Sequence, residues 1–216
     1  MVELKRPETE LSLEEKDAKL RSLIAGYGDL IVAYSGGVDS TFLAGVAHEV
    51  LGKNALAVTS RSPSVAPEEL ESASALADER GWRHLIVDTD EMNDPRYLAN
   101  DGRRCFFCKT ELYTHLDKVA GDESIGFVAN GANTDDLGDY RPGMEAAKNF
   151  EVVSPLVESG MNKQDIRDLS KQMDLPTWDK PAQPCLSSRI PYGTMVSVDA
   201  LGKIGKAEKG LRDLGF

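Results

Sequence analysis

The chain has 216 residues, and its 36 Asp and Glu outnumber its 25 Lys and Arg, which gives a formal net charge of −11. This acidity argues against a protein that holds duplex DNA or folded RNA, or that docks on an anionic membrane. The charged N-terminus lacks the apolar core of a signal peptide, and no apolar run reaches the roughly 20 residues of a membrane-spanning helix. We expect a cytoplasmic protein of one domain plus an extension.

Short apolar runs alternate with helical patterns along the chain. Such runs are typical of strands buried on both faces of a parallel sheet, with helices as right-handed connections. The sequence therefore predicts an α/β fold with a doubly wound five-stranded parallel sheet. The predicted strands are residues 30–34, 55–59, 84–88, 125–129 and 152–156, and the predicted helices are residues 39–51, 67–80, 107–120, 162–173 and 198–214.

Two segments do not fit a simple alternation of strand and helix. The interval between the third and fourth predicted strands is longer than a single crossover helix needs, and the segment after the fifth is rich in Pro and Ser. We therefore expect a sheet domain over residues 12–175, with an insert near residues 91–120. A loop and a helix over residues 176–216 follow it.

A glycine-rich loop, S-G-G-V-D-S, joins the first predicted strand to the helix that follows. Gly36 and Gly37 allow positive φ and close backbone approach, and successive N–H groups at a helix N-terminus bind anions. Ser35 and Ser40 can donate to phosphate oxygens, and Asp39 can hold Mg²⁺ or cap the helix. The loop lacks the lysine of the Walker motif and the spacing G-x-G-x-x-G. It resembles the PP-loop of ATP pyrophosphatases, and the alternative is an ordinary tight turn.

A polar segment, NGANTDDLGDYRPG, follows the fourth predicted strand. Its Asn133 and Asp136 are expected at the carboxyl end of that strand, where ligands bind in open α/β sheets. The G-x-N-x-D-D pattern is similar to one in PP-loop proteins, and the alternative is a polar loop with Asx turns. Ser60, just past the second strand, is a further candidate for contact with adenine or ribose.

The chain has three cysteines. Cys105 and Cys108 make up a C-x₂-C pair, and Cys185 lies far from them in the sequence. A zinc site would need a fourth ligand, for which His115 is the candidate. A redox disulfide and three unrelated thiols are further alternatives. A [4Fe–4S] cluster generally takes four thiolates, so three would leave one iron free for an exogenous ligand such as sulfide.

Basic residues flank the cysteine pair. Arg103, Arg104 and Lys109 are expected to favour thiolates there, and to favour an anionic cluster or substrate nearby. If the sheet is as predicted, all of the candidate chemistry lies at one end of it.

The segment P-C-L-S-S-R-I-P-Y-G-T, over residues 184–194, narrows the family. Together with SGGVDS and GDYRPG (138–143), it resembles the LarE family over residues 12–216. LarE proteins are PP-loop sulfur transferases that help to build the nickel-pincer nucleotide cofactor of lactate racemase. The resemblance implies that ATP and Mg²⁺ adenylate a carboxylate of pyridinium-3,5-biscarboxylate mononucleotide, and that sulfur then displaces AMP to leave a thiocarboxylate.

The resemblance also implies roles for particular residues. Members with all three cysteines hold a [4Fe–4S] cluster and pass on its sulfide, whereas others sacrifice the cysteine that matches Cys185. Glu208 matches an acidic residue near the substrate, and its alternative role is a solvent-facing partner of a nearby Lys. The catalytic candidates are Cys105, Cys108, Cys185 and Glu208, and the nucleotide-binding candidates are Ser35, Gly36, Gly37, Asp39, Ser40, Ser60, Asn133, Asp136, Ser188 and Arg189.

The resemblance leaves other enzymes open. Family members continue past the final Gly-Phe into a small domain with substrate-binding arginines, and they tend to be homo-oligomers. A PP-loop tRNA thiolase with a three-cysteine cluster would perform nearly the same chemistry, but the charge of −11 weighs against tRNA. An ammonia-using amidotransferase or ligase, or a nucleotide-binding regulatory domain, would leave the cysteines unexplained. The expected partners are therefore the small nucleotide substrate and sulfide.

Overall fold

A parallel sheet forms the centre of the molecule in a computed structural model that describes residues 11–138 and 142–215. Its strands are β1 (Leu30–Ala33), β2 (Ala55–Arg61), β3 (His84–Asp88) and β4 (Val128–Ala129), in the order β3-β2-β1-β4. The central strand β1 pairs on both sides, with Ile31 in register with Leu56 of β2 and Val128 of β4. The sheet order therefore places the glycine-rich loop after β1 between its two neighbours.

The prediction of a fifth strand over residues 152–156 is wrong. Within the described residues the sheet has four strands, and the predicted segment makes a single parallel bridge, between Val153 and Ala129. Pro155 then begins a short helix. Proline has no N–H to donate to a ladder and suits the first turn of a helix, so the strand cannot extend past this point.

Helices surround the sheet. Four of the five predicted helices start within two residues of their predicted positions, and that over residues 107–120 starts three residues early, at Arg104. No helix among the described residues is long and apolar enough to cross a membrane. The helices are α1 (Leu13–Tyr27), α2 (Val38–Leu51), α3 (Pro67–Glu79), α4 (Pro95–Leu98), α5 (Arg104–Glu123), α6 (Pro142–Asn149), α7 (Pro155–Glu158), α8 (Lys163–Gln172) and α9 (Val198–Asp213).

Two apolar clusters cover the two faces of the sheet. Leu30 and Val32 of β1 belong to the cluster that α1, α2 and α8 complete, whereas Ile31 belongs to the one that α5 and α6 complete. This follows from the alternation of side chains along a strand. Each fully buried Leu, Ile or Val contributes about 1.5–3 kcal/mol, so both faces help to hold β1 and its loop in place.

A third apolar cluster joins the cysteine-bearing insert to the C-terminal segment. Tyr97 of α4 packs there with Leu186, Ile190, Val196 and Leu201, and all five side chains are buried. Phe107 and Cys108, in the first two turns of α5, pack against the cluster. The segment that carries Cys185 is therefore anchored on the segment that carries the cysteine pair.

Candidate active site

A cavity of about 580 Å³ lies at the carboxyl ends of the strands. In a parallel sheet the loops after neighbouring strands meet at this edge, and the N-terminal half of α5 lines one side of the cavity. It contains six of the ten predicted nucleotide-binding residues together with one cysteine of the pair. Those residues are Ser35, Gly37, Asp39, Ser40, Ser60, Asp136 and Cys105.

The loop after β1 has the geometry of an anion-binding turn. Gly36 has φ +71°, and a Cβ added to it would lie 2.9 Å from the Cβ of Ala73 in α3, so only glycine fits. Ser35 N–H donates to Ser40 Oγ at 3.1 Å, which closes the loop. The N-cap of α2 is Gly37, and no side-chain capping bond is found there in the described part of the chain. The first N–H groups of the helix are therefore available to phosphate.

Two lysines that the sequence analysis missed support this loop. Lys163 Nζ, at the start of α8, donates to Asp39 Oδ2. Lys180 Nζ donates to the carbonyl of Gly36 at 3.1 Å and pairs with Glu69. Both lysines lie more than 120 residues from their loop partners along the chain, so no local spacing indicates them. The ion pair with Lys163 occupies one carboxylate oxygen of Asp39.

The turn after β4 lies against the same loop. A Cβ added to Gly131 would lie 3.0 Å from Ser40 N, so this turn also depends on glycine. The buried Asn133 donates through Nδ2 to Asp39 Oδ1 at 3.4 Å, and Asp136 Oδ2 accepts from the N–H of Asn133 at 3.0 Å. The turn thus has the Asx-type bonds of a polar loop and also faces the cavity. The D-Y-R part of GDYRPG, residues 139–141, lies outside the described residues.

The three thiols come from two segments, and each of them interacts electrostatically with Lys109. Cys105 is exposed in the cavity wall, Cys108 is half-buried, and Cys185 is exposed beside Ser187, with Sγ 3.1 Å from Oγ. The thiol of Cys108 interacts electrostatically with the other two thiols and with Lys109. The described residues nevertheless contain no three ligand side chains close enough to hold a single metal ion.

His115 does not join the thiols. It lies two turns beyond Cys108 on α5, about 10 Å along the helix axis. Its Nε2 pairs with Glu111 Oε1 at 3.1 Å. The position of this ring gives no support to a zinc site that His115 completes.

The prediction that the flanking basic side chains stabilise the thiolate is wrong for Cys108. Burial raises the pKa of Cys108 to about 12, although Lys109 opposes the shift. Arg103 pairs instead with Glu145 at 3.0 Å, and the guanidinium of Arg104 is bonded elsewhere. Cys108 is therefore a neutral thiol at physiological pH.

Lys109 remains charged beside the thiols. Burial lowers its pKa, but interactions with Tyr113 and the three cysteines outweigh that effect, so the net pKa of Lys109 lies above its ordinary value. A permanent cation at the cavity wall favours anionic ligands there.

Three of the predicted site residues that lie outside the cavity lining, Ser188, Arg189 and Glu208, form a group of their own. Arg189 Nε donates to Glu208 Oε1 at 2.6 Å and Arg189 also donates to Ser188 Oγ at 2.8 Å. Arg212, on α9 one turn after Glu208, approaches it at 3.8 Å. Glu208 is therefore paired with arginines rather than with a Lys, in a charged group beside the Cys185 segment.

The loop and its position define a class of protein. A model of the NAD synthase family matches residues 14–97, which include β1, β2, β3 and the glycine-rich loop. The structure of NMN synthetase from Francisella tularensis shares the fold, with a TM-score of 0.63 over 90% of this chain and 92% of that chain at 18% identity. The chain thus has the α/β fold and the glycine-rich loop of the PP-loop class.

Sequence relatives identify the family within that class. The chain is 35% identical over 202 residues to pyridinium-3,5-bisthiocarboxylic acid mononucleotide synthase of Lactiplantibacillus plantarum, covering 92% of this chain and 73% of the relative. The chain belongs to the family of that synthase, the LarE family. It is also 50% identical over 203 residues to an uncharacterized protein of Synechocystis, covering 93% of this chain and 76% of the relative.

The raised pKa of Cys108 predicts selective alkylation. Burial raises the pKa of Cys108 to about 12, so this thiol is almost entirely protonated at pH 8, and the thiolate is the reactive form. Iodoacetamide at pH 8 should modify the exposed Cys105 and Cys185 and leave Cys108 intact in the metal-free protein. Peptide mass spectrometry measures all three, with protein unfolded in urea as the control. Equal modification of the three cysteines in folded protein would contradict this electrostatic environment.

Proposed function

We propose that this chain is an ATP-dependent sulfur transferase that converts a carboxylate of pyridinium-3,5-biscarboxylate mononucleotide into a thiocarboxylate. The observation that carries the proposal is the shared cavity, because Cys105 and the glycine-rich loop line the same space. The relationship to the Lactiplantibacillus plantarum synthase, which is named for the bisthiocarboxylic product, supports the choice of substrate.

The loop fits the first half of such a reaction. A carboxylate is a poor electrophile, and attack of its oxygen on the α-phosphate of ATP yields an acyl adenylate and pyrophosphate. The N–H groups at the start of α2, with Ser35 and Ser40 in the cavity lining, would hold the departing pyrophosphate. Asp39 is the side chain that would hold Mg²⁺, which neutralises phosphate charge when bound.

The thiols fit the second half. A sulfur nucleophile attacks the acyl carbon and expels AMP, so the carboxylate oxygen leaves with AMP and sulfur takes its place. Cys105, Cys108 and Cys185 would hold a [4Fe–4S] cluster, which supplies a bound sulfide and retains one iron without a protein thiolate. The mutual interaction of the thiols supports this set, and the neutral Cys108 would release its proton on binding iron. The thiols are too far apart to bind one metal ion together. A cluster of four irons is larger than a single ion and spans a greater distance between its ligands.

Two related functions compete with this proposal. Sacrifice of Cys185 would supply the sulfur without iron, and the exposure of that thiol is compatible with it. A tRNA thiolase would use the same loop and cysteines, but the net charge of −11 disfavours a polyanionic substrate.

Cysteine variants test the cluster. After anaerobic reconstitution with iron and sulfide, the chain should bind about four irons and show the broad visible absorption of the cluster. Cys105→Ala, Cys108→Ala and Cys185→Ala should each lose most of the bound iron, because each removes one of three thiolates. His115→Ala, on the same helix, is the matched control and should retain it. One equivalent of zinc without iron uptake would refute the cluster.

Pyrophosphate release tests the adenylation step. With ATP and Mg²⁺, the dicarboxylate nucleotide should stimulate formation of pyrophosphate and AMP, whereas tRNA should not. Ser40→Ala should lower kcat by about a hundredfold, as is usual for the loss of one donor to a developing anion. Ser72→Ala, on the exposed face of α3, is the control and should leave kcat unchanged. Stimulation by tRNA would favour the thiolase instead.

A further inference from the structure

A buried polar pair lies between the segments that carry the three cysteines. The side chain of Asn100 is fully buried, and Arg104 is 4% exposed. A buried amide or guanidinium is costly unless its hydrogen-bonding groups are satisfied. The bonds of these two residues run mainly to the segment that begins with Cys185.

Asn100 binds this segment through three carbonyls. Its Nδ2 donates to Thr194 O at 2.8 Å, Pro191 O at 2.9 Å and Ile190 O at 3.3 Å. Its own carbonyl accepts from the N–H of Gly193 at 3.0 Å. One side chain thus fixes the path of the loop after Cys185 along most of its length.

The backbone of Asn100 is held in a conformation that asparagine tolerates better than most residues. Its φ is +52°, in the left-handed region. This conformation aims the amide at the three carbonyls. The residue therefore combines a turn requirement with a side-chain requirement, and a glycine would meet only the first.

Arg104 links the same loop to the cysteine pair. It is the first residue of α5 and directly precedes Cys105. Its Nη1 donates to Asn100 Oδ1 at 2.5 Å and to the carbonyl of Ser187 at 2.8 Å. Ser187 lies two residues after Cys185, so a single guanidinium connects the neighbours of two cysteines.

We propose that Asn100 and Arg104 form a clamp that fixes Cys185 against Cys105 and Cys108. They are positioning residues, because their bonds set the distance between the two segments without contact with a reacting atom. The clamp itself is independent of the proposed function, whereas its value for sulfur chemistry rests on that function.

Spin labels measure the clamp directly. The chain has three cysteines, so Cys108→Ser leaves Cys105 and Cys185 as the only labelling sites. Nitroxides on this pair should show strong dipolar broadening in the electron paramagnetic resonance spectrum of the parent. Asn100→Gly keeps the backbone conformation but removes the side-chain bonds, and Arg104→Lys keeps the charge but shortens the reach. Both should lose most of the broadening.

The control is Arg103→Lys, at the neighbouring position, whose side chain is 48% exposed and pairs with Glu145. It should retain the parent spectrum. Broadening that is unchanged in both Asn100→Gly and Arg104→Lys, with both variants folded by circular dichroism, would overturn the proposal. If one variant fails to fold, the other decides the question.

Amide exchange provides a second readout that needs neither iron nor ATP. The N–H groups of Gly193 and Val196 bond across the clamp to Asn100 O and Leu98 O. In Asn100→Gly their exchange should accelerate about tenfold or more, while β2 exchanges as in the parent. Exchange of both amides at the same rate in Asn100→Gly as in the parent would contradict the clamp. If the parent shows the clamp in these two experiments but fails to bind iron, the cluster is refuted and the clamp is not. The two proposals therefore fail separately.

Discussion

The site depends on close backbone approach at the carboxyl end of β1. Added Cβ atoms on Gly36 and Gly131 would lie 2.9 Å from Ala73 and 3.0 Å from Ser40, so neither position has room for a side chain. This lets the loop after β1 pack between α3 and the turn after β4. Because β1 is an inner strand with core residues on both faces, it anchors the start of the loop at the edge where the cavity opens.

Charge is distributed so that an acidic chain can receive an anionic ligand. The cations of the loop region are paired, Lys163 with Asp39 and Lys180 with Glu69, while Lys109 lies among the thiols. Ion pairs that are partly exposed to solvent are weak, so these lysines can exchange their partners at little cost in free energy. The net charge of −11 belongs to the whole chain, and the charged residues of the cavity lining are Asp39, Asp136 and Lys109.

Local patterns predicted most of the fold, and contacts distant in sequence explain what they missed. The strand–loop–helix at β1 could be read directly, because its apolar run and glycines lie together. The capping box of Ser12 and Glu15 is a local signal for α1, although α1 is not among the predicted helices. Pro155 explains why the predicted fifth strand is absent. No spacing could show that Lys163 reaches Asp39, or that Asn100 binds a loop 90 residues away.

The most direct test of the account is the fate of isotopically labelled sulfide. Protein reconstituted under anaerobic conditions is incubated with ATP, the dicarboxylate nucleotide and ³⁴S-sulfide. The masses of the product and of the protein are then measured by mass spectrometry. If cluster-bound sulfide is the sulfur donor, the thiocarboxylate carries the label over several turnovers, one AMP forms for each sulfur, and the mass of the protein is unchanged. A single unlabelled turnover with loss of H₂S from the protein would contradict it, because Cys185 would then be the sulfur donor.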